Sequence, residues 1–363
     1  MGERKIRVAV IFGGKSAEHE VSLQSAHNVI EALDKDKYEI VPIGIDKDGK
    51  WLLSNRSNYL LNSGDPKLVK LNNSNTSVAV VPQSSGTLME LASRAPGTTI
   101  DVFFPVLHGP YGEDGSIQGL LKLADVAFVG AGVLGSAVGM DKDVMKRLLR
   151  DAGVPTAKFI VIRRGETISY KAIVDKLGSP VFVKPANLGS SVGIHKVSSE
   201  RELASALADA FEYDTKVLVE QAIAGREIEC SVLGNEQPIA SVPGEIIPHH
   251  EFYSYDAKYI DENGAAFEIP ANLPRRTVKK VQDLAVKTFQ VLNCEGMARV
   301  DFFLERNGAL IVNEINTIPG FTSISMYPKL WAASGMSQSE LLDRLIELAI
   351  ERFERDRRLK TTR

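Results

Sequence analysis

The segment at 298–316, ARVDFFLERNGALIVNEIN, constrains this chain more than any other. Two β-prone runs flank Asn307-Gly308, a dipeptide suited to a two-residue hairpin turn. Folded about that turn, Arg306 faces Ala309. Counting outward sets Asp301 opposite Glu314 and Arg299 opposite Asn316. Side chains alternate along a strand, so Arg299, Asp301, Glu314 and Asn316 share one face. Phe303 opposite Val312 continues that face toward the turn. Val300, Phe302, Leu304, Ile311 and Ile315 form the other face, the expected core side. Asn313 interrupts this side with no reason visible in the sequence, and a one-residue bulge would change the register.

Two carboxylates set directly opposite repel unless a cation lies between them. An all-oxygen set of Asp301, Glu314 and Asn316 suits a hard cation such as magnesium. The plainer reading is a solvated face with an Arg–Glu pair. The tightness of the set, and the glycine-bearing tail at 317–320 that follows it, favour the metal.

A length of 363 residues implies two or three lobes. The first opens with a strand at 6–12, a break at Gly13-Gly14, a helix at 22–33 and a strand at 38–45. This order predicts a doubly wound parallel α/β sheet. Another strand at 102–106 ends at Leu107-His108-Gly109, and a helix follows at 116–123. The stretch 53–99, rich in Ser, Asn, Gly and Pro, reads as a loosely structured insertion with one short strand at 78–81. In a middle lobe Asp141 caps a helix that Gly153-Val154-Pro155 ends. Strands at 158–162, 181–184 and 217–220 alternate there with helices at 170–177 and 200–211. The last lobe has strands at 227–233 and 239–246, a polar aromatic segment at 249–266, a helix at 276–292, the hairpin and a helix at 338–353. The expected boundaries are 1–139, 140–224 and 225–363.

The net charge of −3 gives no bulk attraction to nucleic acid. Cys230 and Cys294 lie far apart, outside any CxxC spacing, which argues against a disulfide framework or structural zinc. The N-terminal apolar run at 8–12 is too short for a signal-peptide core. No stretch approaches the roughly 20 apolar residues of a membrane helix. The expectation is a cytoplasmic protein with neither a nucleic-acid nor a membrane partner.

The run VFVKPANLGSSVGI, from Val181, puts Lys184 at the end of a buried strand before a Gly/Ser loop. Such a loop turns backbone N–H groups toward phosphates, and the lysine adds point charge. It is not GxxxxGK[ST], and Gly13-Gly14 is not GxGxxG, which counts against a Walker loop or a dinucleotide site. Lys142, Lys184, the loop and the hairpin together supply phosphate and metal ligands. Val217-Leu-Val-Glu-Gln reads as an interlobe hinge for an adenine edge.

Eight ordered segments complete the reading: FGGKSAEHEVSLQSA, FPVLHGPYGEDGSIQG, MDKDVMK, VFVKPANLGSSVGI, VLVEQAIAGREIE, FYSYDAKYID, MARVDFFL and VNEINTIPGFTSISMYP. In these the chain resembles the ATP-grasp superfamily and, within it, the D-alanine–D-alanine ligases, over nearly its whole length. The resemblance implies an ATP-grasp fold behind the N-terminal parallel sheet and ATP-dependent joining of two D-alanines for peptidoglycan. It implies that Lys142 and Lys184 contact ATP phosphates, that Glu220, Gln221 and Ile223 hold adenine, and that Glu227 holds the ribose. Asp301, Glu314 and Asn316 would hold two magnesium or manganese ions. Glu18 would hold the ammonium of the first D-alanine, hydrogen-bonded with Ser190 and Tyr259, with His108 nearby. Arg299 and the N–H of Gly320 would stabilise an oxyanion. Lys258 would reach the transferred phosphate from a lid, Ser325 and Met326 would line the second D-alanine site, and the assembly would be a homodimer. A D-alanine–D-lactate ligase, another ATP-grasp carboxylate–amine ligase or a non-catalytic sensor remain alternatives.

Overall fold

Strand Ile6–Gly13 alternates its side chains between two cores, and this builds the first sheet. Val8, Val10 and Phe12 pack with helix His19–Ala32, while Ala9 and Ile11 pack with helix Ser116–Leu123. Helices on both faces are what a doubly wound sheet requires. A computed structural model describes residues 4–55, 57–62, 68–72, 76–190, 192–248 and 265–360. Its first sheet has eight strands. Four are parallel, in spatial order Ala127–Phe128, Val102–Val106, Ile6–Gly13 and Tyr38–Ile45. The chain order reverses between Ile6–Gly13 and Val102–Val106, and a crevice opens at their carboxyl ends, where ligands bind in such sheets.

The described residues of the stretch 53–99 are more ordered than its composition predicts. Strands Trp51–Leu53, Thr76–Val80, Thr87–Glu90 and Pro96–Thr99 extend the first sheet by antiparallel pairing, and Leu60–Leu61 with Lys70–Leu71 forms a small second ribbon. Such short strands leave little periodicity to read.

The second sheet is antiparallel, in order Phe159–Arg163, Lys216–Gln221, Val181–Pro185 and His195–Val197. Asp141 caps helix Lys142–Asp151 as expected, accepting from the N–H groups of Asp143 and Val144. The third sheet centres on Gly225–Gly234 paired with Gly296–Glu305. The expected strand at 239–246 is two, Ile239–Ala240 and Gly244–Pro248, with a break at 241–243 that contains Pro243. Helices Val133–Met140 and Met326–Ala333 add to those read from the sequence. Helix Gln338–Arg357 lays Leu341, Leu342, Leu345, Ile346 and Ala349 into the core that also holds Val8, Val102 and Phe104, so the last helix helps close the first sheet. Among the described residues no helix is long and apolar enough to cross a membrane. Both cysteines are free and buried.

Candidate active site

The hairpin places its polar set as counted, by way of two irregularities. The turn is a three-residue loop, not two: the N–H of Glu305 bonds the carbonyl of Ala309, and Gly308 takes φ +82°. That moves the pairing by one, so Phe303 faces Ile311 and not Val312, and Val312 joins Phe302 on the buried side. A bulge at Asn313 then moves it back, and Asp301 faces Glu314 while Arg299 faces Asn316. The polar residue on an apolar face is thus the extra residue of a bulge.

Around this hairpin the three large sheets meet in one cavity. Its lining includes Glu18 and His108 from the first sheet's crevice, Ser190 from the glycine loop, and Glu227, Arg299, Asp301, Glu314, Asn316, Gly320, Ser325 and Met326 from the last lobe. Ser190 donates its hydroxyl to the Glu18 carboxylate, tying the glycine loop to the first lobe. Arg299 reaches Asp301 through Nε at 2.7 Å and Nη2 at 2.8 Å, and Glu229 at 2.8 Å. Asn316 Nδ2 donates to Asp301 at 3.0 Å.

His108 fastens the far wall. Its Nδ1 lies 3.1 Å from the carbonyl of Ile318, which can only accept, so that nitrogen carries the proton. Nε2 then accepts from Ser25 Oγ at 3.3 Å, and Ser25 in turn accepts the N–H of Phe321 at 3.1 Å. Burial lowers the His108 pKa and keeps the ring neutral. Gly320 lies in this fastened loop, where a Cβ would come within 2.7 Å of Ser325 Oγ. Ser325 precedes helix Met326–Ala333 and does not cap it with its side chain. Its Oγ accepts the N–H of Thr322 at 2.9 Å instead, and the first turn of that helix is left open to the cavity.

Next to the cavity lies a buried ionic cluster. Lys142 Nζ donates to the carbonyl of Leu188 at 2.6 Å and stands 3.8 Å from Glu314. Lys184 and Lys146 grip the two oxygens of Glu220. Burial alone would raise the Glu220 pKa, but the two ammonium groups hold it below the usual carboxylate range. Gln221 and Ile223 fall at the join between the second and third sheets, where a hinge was expected. Lys258 and Tyr259, with the rest of the lid, lie outside the described residues.

Sequence reasoning passed over Glu113, Lys146, Glu229 and Ser25. Lys146 follows Lys142 by four residues, one helical turn, and Glu229 shares a strand face with Glu227. Those spacings were readable. Glu113 was not, because its partners are backbone groups: it accepts from the N–H of Gly109 at 2.8 Å and of Ile318 at 3.4 Å. Burial, then the neighbouring charges of Glu18 and Glu314, push its carboxyl up to about 8 against those bonds.

No group of three or more His, Cys, Asp or Glu suited to a metal occurs among the described residues. The candidate set is two carboxylates and an amide. It fits a hard cation in donor chemistry, and its present partners, Arg299 and Lys142, show that the site calls for positive charge.

Comparison with known proteins decides the family. The model of the D-ala D-ala ligase N-terminus matches residues 7–131, and that of the C-terminus matches 148–347. The chain belongs to the D-alanine–D-alanine ligase family. It is 55% identical over 362 residues to the D-alanine–D-alanine ligase of Oceanobacillus iheyensis, covering 99% of each. It is 55% identical over 361 residues to D-alanine–D-alanine ligase A of Escherichia coli K12, again covering 99% of each. Among solved structures, the D-alanine–D-alanine ligase of Coxiella burnetii superposes with a TM-score of 0.86 at 39% identity, covering 98% of this chain and 97% of that one. The VanG D-Ala:D-Ser ligase of Enterococcus faecalis superposes with 0.84 at 39%, covering 95% and 100%. The fold is therefore the ATP-grasp fold of these ligases, behind an N-terminal sheet with a parallel half and an antiparallel extension.

Proposed function

We propose that this ligase joins two D-alanines into D-alanyl-D-alanine, using ATP, as a step in peptidoglycan precursor synthesis. The observation that carries the reading is the single cavity in which Glu18, Ser190, Arg299, Gly320 and Ser325 converge from three sheets beside the Lys142–Lys184 cluster. A carboxylate is a poor acyl donor because its leaving group would be oxide. The carboxylate oxygen of the first D-alanine attacks the γ-phosphorus of ATP, and ADP leaves. The amine of the second D-alanine attacks the acyl carbon, and phosphate leaves.

Each residue's part follows from its surroundings. Glu18, fixed by Ser190, holds the ammonium of the first D-alanine, and neutral His108 adds no competing charge. Lys142 and Lys184 meet the phosphates; Glu220, Gln221 and Ile223 face the base and Glu227 the ribose. Magnesium or manganese at Asp301, Glu314 and Asn316 would neutralise charge on the phosphates. Arg299, aimed by Asp301 and Glu229, and the N–H of Gly320 stabilise the tetrahedral oxyanion; loss of one such donor costs about 10²–10³ in rate. The open N-terminus of helix Met326–Ala333, with Ser325 and Met326, receives the carboxylate of the second D-alanine. The lobes divide near 1–139, 140–224 and 225–363, and the protein works in the cytoplasm as a homodimer.

ADP release measured with D-alanine, L-alanine, D-serine or D-lactate as acceptor tests the reading. Release that depends on D-alanine and on magnesium is expected. Turnover equally fast without any amino acid overturns it, and a faster rate with D-serine or D-lactate replaces the second substrate only.

A further inference from the structure

Lys146 is fully buried on helix Lys142–Asp151, one turn beyond Lys142, and lies outside the cavity lining. Its ammonium meets one oxygen of Glu220 and lies 3.4 Å from the carbonyl of Asn313, the bulge residue of the hairpin. The other oxygen of Glu220 is taken by Lys184. The cluster therefore holds two ammonium groups on one carboxylate, which is one more than neutralising Glu220 requires. A buried carboxylate left without a partner is costly.

We propose that Lys146 is a positioning residue for nucleotide binding: it keeps Glu220 neutralised, so that Lys184 is free to leave that carboxylate for the phosphates of ATP. The inference rests on the assignment of Lys184 as a phosphate ligand. Without Lys146, moving Lys184 would strand a buried negative charge, and Glu220 would hold Lys184 back. With Lys146 in place the carboxylate stays paired whichever way Lys184 points. The Glu220 oxygen that Lys184 gives up is then free to accept from an amino group on the base. Lys146 also joins the two parts that nucleotide must span, since it touches the hinge strand at Glu220 and the metal hairpin at Asn313.

The test is a kinetic double-mutant cycle in the full chain, with ATP and D-alanine titrated separately. Lys146→Met keeps most of the unbranched side chain and removes its charge. It should raise KM for ATP by about tenfold or more, a scale of about 1.4 kcal/mol, with kcat and the KM for D-alanine changing much less. Lys146→Arg should recover most of the loss. Glu220→Gln removes the charge that needs compensation, so Lys146→Met/Glu220→Gln should bind ATP as Glu220→Gln alone does. That comparison still decides the matter if Lys146→Met by itself does not fold. An unchanged KM for ATP in Lys146→Met, or additive losses in the double variant, overturns the inference. Lys184→Ala is the control for the underlying reading. If it leaves KM for ATP unchanged, the phosphate assignment falls; if it raises it while Lys146→Met does not, only the role of Lys146 falls.

Discussion

At the scale of single residues, charge placement governs the site. Lys184→Ala removes the ammonium proposed above to meet phosphate, while Glu220 keeps Lys146 as its partner. The expected result is a fall of about 10²-fold or more in kcat/KM for ATP with little change in thermal midpoint. A collapse of the midpoint alongside activity would make the lysine structural. Glu314→Gln replaces a charged oxygen donor with a neutral one, so the magnesium concentration for half-maximal rate should rise several-fold; an unmoved titration removes Glu314 from the metal set. Glu113 gives a pH signature. Its folded pKa of about 8 lies above the ordinary 4.5, so the folded state holds a proton that the unfolded state has lost. Its contribution is fully present below about pH 4.5 and is lost as pH rises through 8, at up to about 1.4 kcal/mol per pH unit. Thermal midpoints at pH 5, 6.5 and 8 should fall more steeply in the wild type than in Glu113→Gln. Parallel curves would show that Glu113 does not titrate in this window. Glu113 and Ser25 were invisible in the sequence because each bonds the distant loop at 318–321, the N–H of Ile318 for one and of Phe321 for the other, which only the fold brings close.

At the scale of elements, periodicity made most strands and helices readable. Tyr38–Ile45, Val102–Val106, Ser116–Leu123 and Tyr170–Leu177 fall where the pattern put them. The hairpin shows how a correct register can rest on wrong geometry. The turn adds a residue on one side, the bulge at Asn313 adds one on the other, and the pairing at Asp301 and Glu314 is restored. The bulge left a sign in the sequence, the polar Asn313 on an apolar face, but the added turn residue left none, so counting from Asn307-Gly308 missed the compensation. Helix Gln338–Arg357 carries a capping box, in which Ser337 Oγ accepts the N–H of Glu340 and the Glu340 side chain returns to the N–H of Ser337. Ser337→Ala should cost about 1 kcal/mol and lower the midpoint by roughly 2 °C, with kinetics untouched. A change in kcat would mean that this helix start reaches the active site.

At the scale of the whole molecule, the family was legible because its matching segments were ordered along the chain, while the extension of the first sheet across 53–99 was not. Strands such as Trp51–Leu53 are three residues long and take their identity from the neighbour they pair with. The shared core of the first sheet and helix Gln338–Arg357 predicts the fate of a shortened chain. Residues 1–337 alone would leave the apolar surface around Val102, Phe104 and Val129 uncovered. They should aggregate or bind a hydrophobic dye, and a soluble, monodisperse fragment with native spectra would contradict this packing. The same closure bears on synthesis at the ribosome. The opening strand emerges early, but the helix that seals it arrives more than three hundred residues later. A nascent first lobe therefore waits with part of its core open, and that interval is when a chaperone that binds apolar surface has most to do.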